Sequence, residues 1–493
     1  MPTYDELAEE NRRLKALVAA PAHDVSKRKP ARRLSMLECH DPLEEIVFSP
    51  APSSNLGERR RCWDHLSAPC RETSEYLVGY DKKWNSWVHY ALEYPAFDHE
   101  HARFLASLEA GGALRDYDPA WLSVYFSVIT AALLMMDDEE AQRIIPKVKQ
   151  ASQASMFAVL TVAGDHQELL RDWYEAAVFC LEQADFMRRN DVRCVQAIAI
   201  LGMCFYNFGD SGLARHLWSC AIRIAQDLGL DGSGATRAAA ELGREAQCRL
   251  WWTLVICEWL AVPYHVPQVE WGDFDVPLPS VASDSVSADG VQPVLYHIFM
   301  ARTATVYHGF RSALRDGTRP VDEVVRSTDE ALAEVINTLP DHLQPDSGRN
   351  KGMRELEDAH PWVKWQRFDI SLVLLHHRMR INRALQNEWL EAPGQYDWAR
   401  GVCIRSAMDI IWITHNWDQP AAMRRQWALS LHVFVAAVFL LRESQRSGAE
   451  VDFGDEVQLA VEYLDEVKSR NAVAERAVEI LRKAVDSMEA IDS

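Results

Sequence analysis

No two of the ten cysteines stand in a Cys-x-x-Cys pair, so the sequence lacks the closely spaced thiolates from which zinc fingers and ribbons are built. Cys39, Cys62, Cys70, Cys180, Cys194, Cys204, Cys220, Cys248, Cys257 and Cys403 are scattered, most of them in apolar stretches, as expected of buried, reduced thiols in an intracellular protein. There is no glycine-rich strand-turn-helix phosphate loop, no Gly-x-Ser-x-Gly elbow and no His-Glu-x-x-His. The commonest cofactor and hydrolase signatures are therefore missing, and neither a cofactor, a metal site nor a catalytic residue is expected. The longest apolar runs, one ending at Met136 and one from Val433 to Leu441, fall short of the roughly 20 residues that span a bilayer. Met1-Pro2-Thr3-Tyr4-Asp5-Glu6 has none of the charged-then-apolar layout of a signal peptide, so a cytosolic or nuclear location is expected. Basic residues are also few: 52 Lys and Arg against 72 Asp and Glu leave a formal charge of -20. Such a field repels phosphate, so DNA contact would need a local basic segment.

What the chain does have is apolar mass. With 493 residues, 48% of them hydrophobic, it can bury a large core as one big helical domain or two closely packed halves. Three segments are expected: a coiled-coil arm over 1–20, a flexible, partly basic linker over 21–74 and a helical body over 75–493. In the arm, Tyr4, Asn11 and Val18 recur every seven residues, as do Leu7 and Leu14, which marks a dimerisation seam. Asn11 is the residue type that specifies a parallel two-stranded register by pairing with its twin. A helix this short is marginal alone, and a frayed surface helix is the alternative. Beyond Pro21, Lys27, Arg28, Lys29, Arg32 and Arg33 form a cluster that reads as a nuclear-import signal, a phosphate-binding patch or a plain solvated charge run.

From Leu77 onward apolar residues fall at three- and four-residue intervals, with Gly and Pro mainly between the blocks. This is the pattern of an all-α fold, a large multi-helix bundle. Ala197, Leu201, Cys204, Phe205 and Phe208 form one stripe, and Leu217, Ala221, Ile224, Ala225 and Leu228 another. The short join from Phe208 to Gly212 predicts an antiparallel helical hairpin, with Asp210 or Ser211 as cap and Gly229 as stop. The hairpin resembles a tetratricopeptide unit, but no second copy follows and a repeat array is not expected.

Asp98-His99-Glu100-His101 gathers metal-ligand residue types, yet on a helix His99 and His101 point apart and no imidazole lies four residues away. A solvated helix start is expected there. His376 and His377 are expected to pack or cap. Glu450 to Val467 interleaves acidic and apolar residues in the manner of an activation surface. Val457, Ala460, Val461, Leu464 and Val467 nevertheless make one stripe, so a docked helix is expected.

Ala221 to Asp231, then Arg249-Leu250-Trp251-Trp252 through Glu258, then Asp273-Phe274-Asp275-Val276-Pro277-Leu278-Pro279 follow one another in a distinctive order. In that order and spacing they resemble the middle homology region of fungal-specific transcription factors. Further matches include Asp118-Pro119-Ala120-Trp121, Trp173-Tyr174-Glu175, Leu339-Pro340 and Trp365 through Arg383, and the resemblance covers roughly residues 75–490. Arg249, Trp251, Trp252, Glu258, Asp273, Asp275 and Pro277 are the family signature core, and architecture rather than catalysis is expected of them. Trp251 and Trp252 are expected to point to opposite sides of one helix, each burying its ring against a different layer. Arg249 is expected to form a half-buried ion pair, Glu258 to find a partner in the core, and Asp273, Asp275 and Pro277 to make a rigid, extended exit.

The resemblance implies a nuclear transcription regulator, controlling a dedicated gene set such as a secondary-metabolite cluster, that pairs as a homodimer or as a heterodimer with a related zinc-cluster regulator. It also implies a possible small-molecule effector. Two departures bear on this. In the family a six-cysteine zinc cluster precedes the coiled coil, whereas here Met1 falls where the coiled coil begins and the first cysteine is Cys39. DNA contact is therefore expected to be indirect unless an upstream cluster completes the chain. The loop after the Trp-Trp helix reads His265-Val266-Pro267 in place of the family's Gly-Arg-Pro, so no effector contact is carried over from it. The alternative is a helical scaffold co-opted as a biosynthetic enzyme or small-molecule binding protein.

Overall fold

The computed structural model describes residues 41–48, 62–145, 166–234, 242–261, 266–281, 291–345, 351–392, 394–417, 419, 421–447 and 452–492. The heptad residues Tyr4, Leu7, Asn11, Leu14 and Val18, the basic residues Lys27 to Arg33, and His265 lie outside them. Among the described residues every regular element is helical.

The first half runs α1 (Pro42–Ile46), α2 (Arg71–Trp84), α3 (Ser86–His89), α4 (Tyr94–Glu109), α5 (Pro119–Met135), α6 (Asp138–Ile144), α7 (His166–Gln183), α8 (Val192–Leu201) and α9 (Ser211–Asp227). After α10 (Arg244–Trp259) come α11 (Val294–Asp316), α12 (Val321–Asn337), α13 (Lys351–Ala359), α14 (Trp362–Arg383) and α15 (Gln386–Glu391). The chain closes with α16 (Asp397–Asn416), α17 (Trp427–Ser447), α18 (Gly454–Val467) and α19 (Ala472–Asp492).

Two apolar helices organise the halves. Asp118 caps α5 by accepting the Ala120 N–H, Pro119 presets its first turn, and every residue from Ala120 to Met135 is buried. A helix without a polar face must be surrounded, and α2, α7 and α8 pack on it. Its hydroxyls are satisfied within the core: Ser127 and Thr130 donate four residues back, and Ser123 donates to the Ala177 carbonyl at 2.9 Å. In the second half, Trp427–Arg446 is long and apolar enough to cross a membrane, but 83% of that window is buried inside the protein. Its neighbours are α14, α16, α18 and α19. The helix α10 joins the halves, touching α8 and α9 on one side and α11 on the other.

The two helices α8 and α9 pack together as the predicted hairpin, but α8 ends at Leu201, so Cys204, Phe205 and Phe208 of the expected first stripe lie in the connection and not on the helix. Gly229 ends α9 at φ +78°, where the Leu230 N–H reaches the Ala225 carbonyl and the Gly229 N–H reaches that of Gln226. The proposed caps do other work: Asp210 accepts the Tyr174 hydroxyl and Ser211 donates to the Phe48 carbonyl. Val457, Ala460, Val461, Leu464 and Val467 are buried, so α18 docks as expected.

The reading of 21–74 as linker is corrected for 41–48 and 62–74. Asp41 caps α1 and takes Arg442 at 2.7 Å, while Glu44 is buried against Arg383 at 2.6 Å. Phe48 meets Tyr206 edge to face at 5.5 Å, and α2 already begins at Arg71. Charge density in the surrounding sequence masked these few docking residues.

Candidate functional site

The signature segment folds back along α10. Both tryptophans are fully buried, but the expectation that they face opposite layers is wrong. Their rings meet the same Phe274, with centroids 5.5 and 5.6 Å away. Successive helical residues diverge by about 100°, not 180°, so one bulky residue on a returning segment can touch both. Trp252 Nε1 donates to the Pro277 carbonyl at 2.7 Å, and Cys248 Sγ reaches the same oxygen at 3.0 Å. Trp259 Nε1 donates to Val269 O at 2.8 Å, and the Asp275 N–H donates to Asp231 O at 2.9 Å. Asp273 accepts the Glu270 N–H, and Glu258 accepts the Gln268 N–H at 2.7 Å, so both carboxylates hold the returning backbone. Arg249 pairs with Glu245 at 3.3 Å, reaches Ser280 O at 3.4 Å and lies 5.5 Å from the Tyr90 ring. At Gly232 a Cβ would fall 2.5 Å from the Asp275 carbonyl oxygen, so only glycine fits this crossing.

Alongside α10 lies a cavity of about 160 Å³, walled by residues of α3, α8, α9, α10, α11, α14 and α17. Trp218 and Trp427 line both this cavity and an outer pocket of about 650 Å³ that Arg215, His216 and Gln268 help to form. Gly202 allows this arrangement, since a Cβ there would come within 2.8 Å of the Trp218 ring.

The cavity wall is chemically one-sided. Tyr296 donates its hydroxyl to Asp369 Oδ2, and the buried Oδ1 has no partner. Burial pushes the Asp369 carboxyl up to about 6. His377 Nδ1 sits 2.8 Å from the Val373 carbonyl and so carries the proton, leaving Nε2 as a buried acceptor without a partner. Burial lowers His377 and His297 to about 3. It also holds His376 and His432 well below the usual imidazole value, with neighbouring imidazoles adding to the effect. The His376 and His432 rings stack 4.2 Å apart, as neutral rings can.

His376 and His377 therefore pack in the interior. Asp369, Tyr296, His297 and His432 were not singled out by sequence reasoning. A signal did exist at Asp369, a carboxylate between Phe368 and Ile370 on a stretch with apolar periodicity. His432 is brought to His376 from α17, and no local pattern encodes that meeting.

The segment Asp98 to His101 is not a helix start, because α4 begins at Tyr94. Asp98 pairs with Lys82, Glu100 pairs with Arg193, and the buried His101 bonds Ser74 at 2.8 Å. Among the described residues no group of three or more His, Cys, Asp or Glu is placed to hold a metal ion.

Residues 102–263, from α4 through the Trp-Trp helix, match the Cep3 family, described as a component of the centromere DNA-binding protein complex CBF3. The chain is 23% identical over 347 residues to "Probable transcription factor lepB" of Aspergillus flavus, the match covering 63% of this chain and 61% of that relative. It is also 23% identical over 149 residues to "Transcriptional regulator AacuB" of Aspergillus aculeatus, covering 30% of this chain and 18% of the relative. The chain thus spans less than two thirds of the length of either relative. The fold is similar to that of the K. lactis CBF3 core, with a TM-score of 0.57 at 12% identity over 93% of this chain and 88% of that one.

Proposed function

We propose that this chain is the helical body of a fungal-type transcription regulator, of the middle homology region kind, acting in the nucleus on a dedicated gene set such as a secondary-metabolite cluster. The observation that carries the reading is the 23% identity over 347 residues to a protein named as a transcription factor. The regulator pairs through Tyr4, Leu7, Asn11, Leu14 and Val18, as a homodimer or with a related zinc-cluster regulator, and Lys27, Arg28, Lys29, Arg32 and Arg33 direct its import. A net charge of -20 makes the body itself a poor partner for DNA, so promoters are reached through a zinc cluster carried by a partner or by an upstream segment. A small-molecule effector enters past Trp218 and Trp427.

Transcript profiling of cells lacking the gene, complemented with the chain with or without residues 1–20, tests this. A coherent gene set changes on deletion and recovers only when 1–20 are present; sedimentation then finds a dimer that becomes a monomer without them. An unchanged transcript profile together with exclusion of the tagged chain from the nucleus would overturn the reading. A second reading, a helical scaffold that binds or converts a small molecule, is favoured by the cavity of about 160 Å³. Metal-independent turnover of a pathway intermediate by the purified protein would establish it.

A further inference from the structure

Most of the polar hydrogens lining the interior cavity are already spent, those of His432 and Gln426 excepted. Thr253 donates its hydroxyl to the backbone, Tyr296 donates to Asp369, and His377 Nδ1 is used by Val373. Trp218 Nε1 donates to Leu254 O at 3.3 Å and Trp427 Nε1 to Gly202 O at 3.0 Å, so both indoles turn only carbon surface to the cavity. Against these stand the unpartnered Asp369 Oδ1 and His377 Nε2. Among the described residues that line the cavity, Asp369 is the one carboxylate, and none is a lysine or an arginine.

We propose that the cavity binds a small monoamine, its ammonium group paired with Asp369 and its apolar body held between Trp218, Met300, Trp427 and Leu431. An ammonium supplies the donors and the charge that a buried carboxylate needs. At Asp369 a carboxylate or phosphate would set acceptor against acceptor, and a hydrocarbon would leave Oδ1 unpaired. The aromatic walls add attraction for a cation. Size sets the rest: a cavity of about 160 Å³ is close to one known to take a benzene ring, so the body is a single ring or a short alkyl chain. Asp369, Val373 and His377 are spaced four residues apart along one face of α14, putting the Cα atoms of Asp369 and His377 about 12 Å apart along its axis, with the His377 ring leaning back toward Val373. An amine anchored at Asp369 thus points its far end toward His377, which accepts from a hydroxyl there. That the amine acts as an effector rests on the regulatory reading above; its binding does not.

The test is titration of the full chain at pH 7.5, where Asp369 is ionised, with benzylamine, benzyl alcohol and benzoate, followed by calorimetry and tryptophan fluorescence. Benzylamine binds saturably and about tenfold or more tighter than the alcohol, and benzoate does not bind. In Asp369→Asn, with its fold checked by near-ultraviolet circular dichroism, benzylamine falls to the affinity of the alcohol. Equal binding of amine and alcohol, binding of benzoate, or no saturable binding of amine would overturn the site. If Asp369→Asn does not fold, the ranking of the three probes on the unaltered chain decides. An amine that binds while reporter transcription ignores the chain removes the regulatory reading and keeps the site. A chain-dependent reporter without amine binding does the reverse.

Discussion

Glu44 and Arg383 form an ion pair 2.6 Å long between side chains 2% and 5% exposed, joining the start of the described chain to the end of α14. With Asp41 on Arg442 and Phe48 against Tyr206, the short segment 41–48 straps the C-terminal helices to the α8–α9 hairpin. A buried charge is tolerated only while its partner is present.

Arg383→Met or Glu44→Gln should therefore destabilise the protein by about 3–5 kcal/mol, because each removes one half of a buried ion pair. The double variant should cost less than the sum of the two. Urea unfolding at fixed pH measures all three, and strictly additive losses would show that the pair is not coupled.

Trp252→Phe keeps an aromatic ring beside Phe274 but removes the donor to the Pro277 carbonyl. A loss of about 1–2 kcal/mol is expected, against about 3–5 kcal/mol for Trp252→Ala, which also opens a cavity. Hydrogen exchange should speed up in 269–278 for Trp252→Phe while α5 keeps its protection.

At Gly232 the backbone has φ +88° and crosses the Asp275 carbonyl at a distance that excludes a Cβ. Gly232→Ala is expected to cost more than about 1 kcal/mol, since both the conformation and the space oppose it. Thermal unfolding provides the measurement, and an unchanged midpoint would show that the crossing opens at no cost.

His297 and His377 lie at about 3 in the folded protein, against 6.5 for a free imidazole. The unfolded chain therefore takes up protons first as pH falls. The stability they contribute is complete above about pH 6.5 and drains away toward pH 3, at about 1.4 kcal/mol per pH unit for each. Asp369, raised to about 6 from 3.8, acts in the opposite sense: the folded state holds its proton longer, so its contribution rises as pH falls from 6 to 3.8. Two protons against one leave a net loss in acid from these three groups. His377→Asn, whose amide can still donate to the Val373 carbonyl, should flatten the stability profile by about 1.4 kcal/mol per pH unit between about pH 5 and 6. Denaturant melts across that range read the slope directly.

Helical class was written in the spacing of apolar residues alone, because a 3.6-residue period is a local property of the chain. The stripe of α9, the Gly229 stop and the apolar face of α18 were legible for the same reason, whereas the first stripe of the hairpin ran past Leu201, where α8 ends. The signature segment was read as a rigid exit from the Trp-Trp helix, and that it folds back along α10 was not legible.

The interior site was not legible, since its parts come from helices far apart in sequence. Tyr296 reaches Asp369 from α11, and His432 stacks on His376 from α17. Which faces of those helices meet depends on packing among many side chains at once, and no short window of sequence records it. The same holds for Glu44, which reads as one acid in a polar stretch until the fold brings Arg383 to it. Local periodicity determined what the helices are. Only tertiary packing decided which polar groups they trap together, because the cost of burying a charge is settled by its neighbours in space.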